Sequence, residues 1–248
     1  MGDGPGAGGV FPPTRWSAVV AARSGEAVER RLGLSRIAEA YWRPVYKLLR
    51  LRWHKSHEDA RELTQEFFAR VIEDDLLAAY DPAKGRLRTF LRTCLDALVL
   101  NDERDRTRLK RGGDRELLSL DCELTEGELA SASSTRPEDA DALFEAEWVR
   151  SVFALAVARL RADCAERGRA HVFDVFARYD LDDRDPRPTY AEIAQGLGIK
   201  VTDVTNHLAL ARREMRRITL ETLRDMTVSE EEFRREARTL LGIDPAGR

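Results

Sequence analysis

Asp59, Glu62 and Glu66 recur at intervals of three and four within SHEDARELTQEFFARVIEDDLL (56–77). On a helix that spacing lays three carboxylates along one strip, with Gln65 beside them. Like charges placed so closely repel one another, and no lysine is interleaved to relieve them. An uncompensated strip of this kind suits a basic helix on another protein, and Phe68, at the edge of the buried stripe, can join the same contact. Two other readings use the same residues. A solvated face needs no partner at all, and clustered acids are the raw material of a metal-dependent nuclease, although no His or Lys cluster accompanies them here.

A second constellation is basic. In KGRLRTFLRTCLDALVLNDERDRTRLKRGG (84–113), Lys84, Arg86, Arg88 and Arg92 precede Arg104, Arg106, Arg108, Lys110 and Arg111, so a charged helix could follow a phosphate backbone or simply present a solvated face. A third lies near the other end of the chain. Thr189 and Glu192 form a T-x-x-E capping box before a short helix with Ile193, Ala194 and Leu197 inward, and Gly198 supplies a tight turn. The following helix buries Val204, Leu208, Ala211 and Met215. That leaves Thr202, Thr205, Asn206, Arg213 and Arg216 outward, with Arg212 beside them. Asn pairs with adenine and Arg with guanine in a major groove, while outer arginines hold phosphates. An ordinary helical hairpin with a polar face is the plain alternative.

The elements that position these residues are helical throughout. With 248 residues and 43% hydrophobic content the chain can bury real cores. The net charge is only −3, yet it is segregated: residues 84–111 hold nine basic against four acidic side chains, and residues 114–147 hold eleven acidic against two basic. Of the 41 basic residues 36 are arginine, a choice that suits phosphate and guanine recognition and that a GC-rich genome also produces. Cys94, Cys122 and Cys164 stand far apart, and the four histidines form no ligand pair with them, which argues against a disulfide framework or a metal site. No catalytic constellation or cofactor motif is present. No apolar run is long enough to cross a bilayer and the amino terminus lacks a signal-peptide pattern, so the expected location is cytoplasmic, without membrane association.

Read along the chain, residues 1–13 are a Gly/Pro-rich flexible lead. Residues 14–32 offer one or two short helices around Trp16, Val19 and Val20, and 34–54 a longer one with Pro44 as a kink point. The acidic helix follows, capped by Ser56, with Ala60, Leu63, Phe67 and Val71 buried. After the turn-rich YDPAKGR (80–86), the basic helix buries Phe90, Leu91, Cys94, Leu95 and Leu98. The acidic stretch 112–141 reads as a flexible linker and domain boundary. A second helical block covers 142–227. A final amphipathic helix lies within 228–248, capped by Ser229, with Phe233, Ala237, Leu240 and Leu241 on one side. The expected fold class is therefore all-α: two small helical domains, 14–111 and 142–227, joined by an acidic linker, the second carrying a helix-turn-helix.

Taken together, DARELTQEFFARVIE (59–73), YDPAKGRLRTFLRTCL (80–95), NDERDRTRLKRGG (101–113) and YAEIAQGLGIKVTDVTNHLALARREMRR (190–217) resemble the extracytoplasmic-function sigma factors of bacterial RNA polymerase, specifically the long ECF-like group of planctomycetes. The resemblance extends from about residue 14 to 241. It rests on the order and spacing of the segments rather than on any single motif. It implies a transcription initiation factor whose first domain reads the minus-ten promoter element and whose second reads the minus-thirty-five element. In that family a D-A-E-D-L-x-Q-E-x-F helix binds the clamp helices of the polymerase β′ subunit, which assigns Asp59, Glu62, Gln65, Glu66 and Phe68 to that contact, with Arg61 departing from the pattern. Core RNA polymerase, through β′ clamp helices and β flap, and promoter DNA are the implied partners, with room for an anti-sigma or other regulatory protein. The resemblance further assigns YDPAKGR to a flipped-base pocket. Lys84, Arg86, Arg88, Phe90, Arg92, Asn101, Arg104, Arg108, Lys110 and Arg111 then surround the separating strands. Phe90-Leu91 stands where such factors usually carry Trp-Leu. A polymerase-independent helix-turn-helix regulator and the metal-dependent nuclease are the other functional classes these residues admit.

Overall fold

Gly33 decides how the first two helices meet. Helix α1 (Ala18–Ala22) crosses α2 (Ala27–Leu51) so closely there that an added Cβ would lie 2.3 Å from the Ala22 amide nitrogen and 2.5 Å from the Ala18 carbonyl oxygen. No L side chain fits against backbone at that distance. The computed structural model describes residues 18–73, 76–106 and 140–243. Within these it is all-α, and no strand occurs among the described residues. The expected lead at 1–13, Trp16, Arg108, Lys110, Arg111, Cys122 and the linker stretch 112–139 lie outside them.

α2 runs unbroken from Ala27 through the buried Pro44, so the sequence expectation of a break near residue 33 is corrected. Leu34, Ile37, Tyr41, Val45, Leu48 and Leu49 recur at helical spacing and are all buried, and that stripe carries the helix across the glycine. Helix α3 (His57–Glu73) begins at Ser56, whose hydroxyl accepts the Asp59 amide at 3.1 Å and donates to the Asp59 carboxylate at 2.8 Å. Ala60, Leu63, Phe67 and Val71 are buried as their spacing predicts. After a 3-10 turn (Leu76–Ala79) comes α4 (Leu87–Arg106), burying Leu87, Leu91, Leu95, Leu98 and Val99; Phe90 and Cys94 are half-buried on its flank.

Helix α5 (Ala140–Glu166) is apolar around much of its girth because it serves two neighbours. Its first half sets Leu143, Phe144, Trp148 and Val152 against α2, where Tyr41 stacks on both Phe144 and Trp148 with ring centroids 6.3 Å apart. Its second half sets Ala156, Leu160 and Cys164 against Val172 and Phe176 of α6 (Ala170–Phe176) and Ala211 and Ile218 of a later helix. α6 passes into a wide π turn (Ala177–Leu181). Helices α7 (Tyr190–Leu197), α8 (Val201–Asp225) and α9 (Glu230–Leu241) complete the chain. α8 continues eight residues beyond the 217 at which the quoted motif ends, and its end returns Leu223 and Met226 to the first core, followed by Phe233 and Ala237 of α9.

That return bears on the expected division at 112–141. One apolar cluster draws together α1, α2, α3, α4, the first half of α5, the end of α8, and α9. In the described residues the two blocks therefore share a core across the expected boundary. A buried ion pair reinforces the junction: Lys47 Nζ of α2 lies 2.7 Å from Glu147 Oε2 of α5, with side chains 6% and 2% exposed. No described helix is long and apolar enough to cross a membrane.

Candidate functional site

Three surfaces carry the residues singled out by sequence, and the structure treats them differently. The first is the α7–α8 pair. Thr189 accepts the Glu192 amide at 3.2 Å and Glu192 accepts the Thr189 amide at 2.7 Å, a complete capping box that fixes where α7 begins. Gly198 ends it in the left-handed region, φ 66°, and the chain turns directly into α8. Ile193 and Ala194 of α7 close on Val204 and Leu208 of α8 and on Val175 of α6, so the two helices are held as one rigid unit. With that face buried, Thr202, Thr205, Asn206, Arg213 and Arg216 are exposed, as their spacing predicts, and Met215, expected in the buried stripe, is half-buried.

Arg212, beside the outward set, is exposed and also has partners within the chain. Its guanidinium donates to both Asp180 oxygens, at 2.9 and 2.8 Å, and lies over the Tyr179 ring. The hydrogen bonds to Asp180 raise its pKa, and the fork anchors the π turn to α8. His207, absent from the sequence assignment, sits with its ring centroid 4.7 Å from that of His171 on α6. Burial, then the neighbouring imidazole, lowers its pKa from the ordinary histidine value.

The second surface is the arginine run of α4, where three of the expected arginines meet carboxylates of the same chain. Arg88, expected to face separating DNA strands, is 4% exposed. It donates from Nε and Nη2 to the two oxygens of Glu145 on α5, at 2.8 and 2.5 Å, and from Nη1 to Glu236 on α9. Its guanidinium lies 4.4 Å over Trp148. Burial lowers its pKa, and the hydrogen bonds to Glu145 and Glu236 outweigh that, leaving it raised. Arg86 reaches both acids too, 3.4 Å from Glu145 and 3.2 Å from Glu236. Arg92 pairs with Asp96 at 2.7 Å and with Asp141. Phe90 lies tilted against Tyr80, centroids 5.5 Å apart. Lys84, 85% exposed, and the exposed Asn101 and Arg104 remain at the surface.

Sequence reasoning missed the carboxylates that hold these arginines. Glu232 and Glu236 are one turn apart on α9 and immediately precede Phe233 and Ala237, so they flank its apolar stripe; that adjacency was the available signal. Both are buried. Glu232 accepts the Tyr80 hydroxyl at 2.8 Å, and burial together with that carboxylate raises the phenol pKa well above its ordinary value.

The third surface is the acidic strip of α3. Glu62 is exposed, and Asp59 and Gln65 are half-exposed along the same side. Two corrections apply. Glu66 is compensated by Arg70 one turn on, which donates from Nε at 3.1 Å and Nη2 at 2.7 Å. Phe68 is 1% exposed and edge-on to Phe67, so it belongs to the core and supports the strip from beneath. Among the described residues no group of three or more His, Cys, Asp or Glu side chains is arranged to hold a metal ion. No protein-family model, curated protein or solved structure matches the chain.

Proposed function

We propose that this chain is a promoter-specificity subunit of bacterial RNA polymerase, a sigma factor of the ECF-like kind, without catalytic chemistry of its own. The observation that carries the reading is the α7–α8 unit. A capped helix, a left-handed glycine turn and a second helix with Thr202, Thr205, Asn206, Arg213 and Arg216 exposed form a rigid polar face of the dimensions a major groove accepts. The strip of Asp59, Glu62 and Gln65 on α3 supports the polymerase half of the proposal, since it offers acidic and amide groups to a basic helix on a scaffold fixed by Phe67 and Phe68. A bubble costs roughly 1.4 kcal/mol per step unstacked and a captured base returns a few kcal/mol, so a chain of this size needs polymerase contacts to hold strands apart.

A second reading draws on a specific observation. Arg86, Arg88 and Arg92 are occupied by carboxylates of the same chain, and a polymerase-independent regulator that touches DNA through α8 alone requires nothing more of them. Transcription by core RNA polymerase on fragmented genomic DNA, with RNA 5′ ends mapped, separates the two. The sigma-factor reading expects new starts that depend on the protein and disappear with Asp59→Ala/Gln65→Ala. The regulator reading expects no new starts, tight DNA binding by the protein alone, and indifference to those substitutions.

A further inference from the structure

The arginines at 86, 88 and 92 are not merely paired; they are held as a phosphate backbone would hold them. Arg88 presents its planar fork to both oxygens of Glu145 and its remaining edge to Glu236, and Arg86 reaches the same two acids. Arg92, one turn further along α4, meets Asp141 at the start of α5. Carboxylate and phosphate present the same bidentate acceptor geometry to guanidinium. The acids come from the first turns of α5, from the helix α9 and, for Arg92, also from Asp96 of α4 itself. The lining is completed by Tyr80, whose hydroxyl is given to Glu232.

The attachment of α9 is modest. It is twelve residues long and seats two apolar side chains fully, Phe233 and Ala237, beside the two buried glutamates, with Leu240 and Leu241 partly buried against the same core. A helix of that length is marginal without its docking surface. Buried ion pairs roughly break even against the desolvation they require, so exchanging one set of anions for another on these arginines is close to balanced.

On the reading that this chain binds DNA, we infer that Glu236 of α9 is an internal phosphate mimic on the Arg86 and Arg88 edges of α4, and that α9 leaves them when DNA arrives while α5 stays in the core. In the closed form α8 is the exposed DNA-binding surface. Opening frees the Arg86 Nε and Arg88 Nη1 edges that Glu236 holds, for phosphates of the same DNA.

The test uses the full chain and a fluorescein-labelled duplex of mixed sequence, with affinity measured by anisotropy across a salt series. Glu145→Gln/Glu236→Gln keeps side-chain shape and removes the competing charge. The expected result is an affinity gain of about tenfold and a log affinity against log salt slope steeper by about 0.9 for each arginine released. Glu230→Gln/Glu231→Gln makes the same net-charge change on α9 outside its buried pair of glutamates, and is expected to leave the slope unchanged. Hydrogen exchange on the unaltered chain supplies a measurement independent of any variant's folding: amides of 230–241 should lose protection when duplex is added. An unchanged slope in Glu145→Gln/Glu236→Gln, or α9 amides equally protected with and without DNA, overturns the mimic while leaving DNA binding by α8 intact. Absence of DNA binding by every variant, alone and with core polymerase, overturns the functional reading itself.

Discussion

The outer face of α8 and the arginine run of α4 are built from the same residue type and stand in opposite electrostatic states. Arg213 is 73% exposed and lies 3.9 Å from its neighbour Glu214; Arg88 is 4% exposed and is held by three charge-assisted hydrogen bonds over a tryptophan face. The difference lies in the elements packed opposite. α8 turns its polar face away from α6 and α7, which bury its other side. α4 turns its arginines toward α5 and α9, which bring Glu145 and Glu236 from 57 and 148 residues away along the chain. An arginine is a DNA contact or a structural ion according to which carboxylates the fold delivers to it, and composition records only that the arginine exists.

The largest separation between the two regions should be in stability. Arg88→Ala leaves the buried carboxylate of Glu236 with Arg86 as its remaining cation, and removing one partner of such a pair costs about 3–5 kcal/mol. Arg213→Ala removes an exposed side chain and should change stability by no more than about 0.5 kcal/mol. Urea unfolding of both variants checks this. Arg88→Met/Glu236→Leu, which replaces the buried pair with apolar groups of similar size, should recover most of the loss. If Arg88→Ala unfolds at the same urea concentration as the parent, the α4 arginines are not structural and the contrast collapses.

A smaller effect is expected at the turn that aims α8. Gly198 has φ 66°, and any residue with a Cβ is strained there by roughly 1–2 kcal/mol. No heavy atom lies within 4 Å of the position a Cβ would occupy, so the strain is conformational rather than steric crowding by neighbours. Gly198→Ala should therefore lower the unfolding midpoint without creating a packing defect, and differential scanning calorimetry checks the size. The α4 run has no equivalent weak point in its backbone: its geometry is set by side-chain ion pairs.

What could be read in the sequence follows from the same contrast. The capping box at Thr189, the N-cap at Ser229, the turn at Gly198 and the buried stripes of α3 and, apart from the half-buried Met215, of α8 are local patterns, and each appears where its spacing places it. The helical class was legible for that reason, as was the exposed set Thr202, Thr205, Asn206, Arg213 and Arg216. Phe68 was misplaced at an edge because the stripe of α3 is wider than a single i, i+3, i+4 line, with α2 and α4 both packed against it. The partners of Arg88 and Arg212, and Asp141 beside Arg92, were not legible because they lie remote in the chain, whereas Asp96 is one turn from Arg92. Nothing in LRTFLRTCL specifies that Glu145, Glu236 and Asp141 will converge on it. The core shared across the acidic stretch was hidden for a related cause: α5 is apolar on more than one side, and periodicity alone does not say which helix takes which side.

Acid should affect the α7 cap. Glu192 accepts the Thr189 amide and hydroxyl, and these bonds hold its pKa below the ordinary 4.5. The carboxylate is thus favoured in the folded chain, so its contribution is present above pH 4.5 and is lost as pH falls through the lowered folded value. Glu192→Gln should flatten that part of the stability profile between pH 5 and pH 3, about the range a carboxylate titrates. An unchanged acid limb would mean that the box seen between Thr189 and Glu192 contributes nothing to the stability of the unit.

The smallest change in stability should accompany the clearest change in DNA binding. Arg213 and Arg216 are exposed, and among the described residues neither is held by a buried carboxylate as Arg88 is. Their replacement by alanine should leave the unfolding curve within about 0.5 kcal/mol of the parent. If they contact phosphates, each replacement lowers the slope of log affinity against log salt by about 0.9, uniformly across sequences. If one of them reads a base, discrimination at that position relaxes instead, by about 1–3 kcal/mol. Binding measured on two unrelated duplexes over a salt series tells these apart, because a phosphate contact weakens both equally and a base contact weakens one. A parent chain and an Arg213→Ala/Arg216→Ala variant with identical slopes and identical preferences would remove α8 from the DNA interface. The exposed and the sequestered arginines would then differ in burial alone, and the comparison would carry no functional meaning.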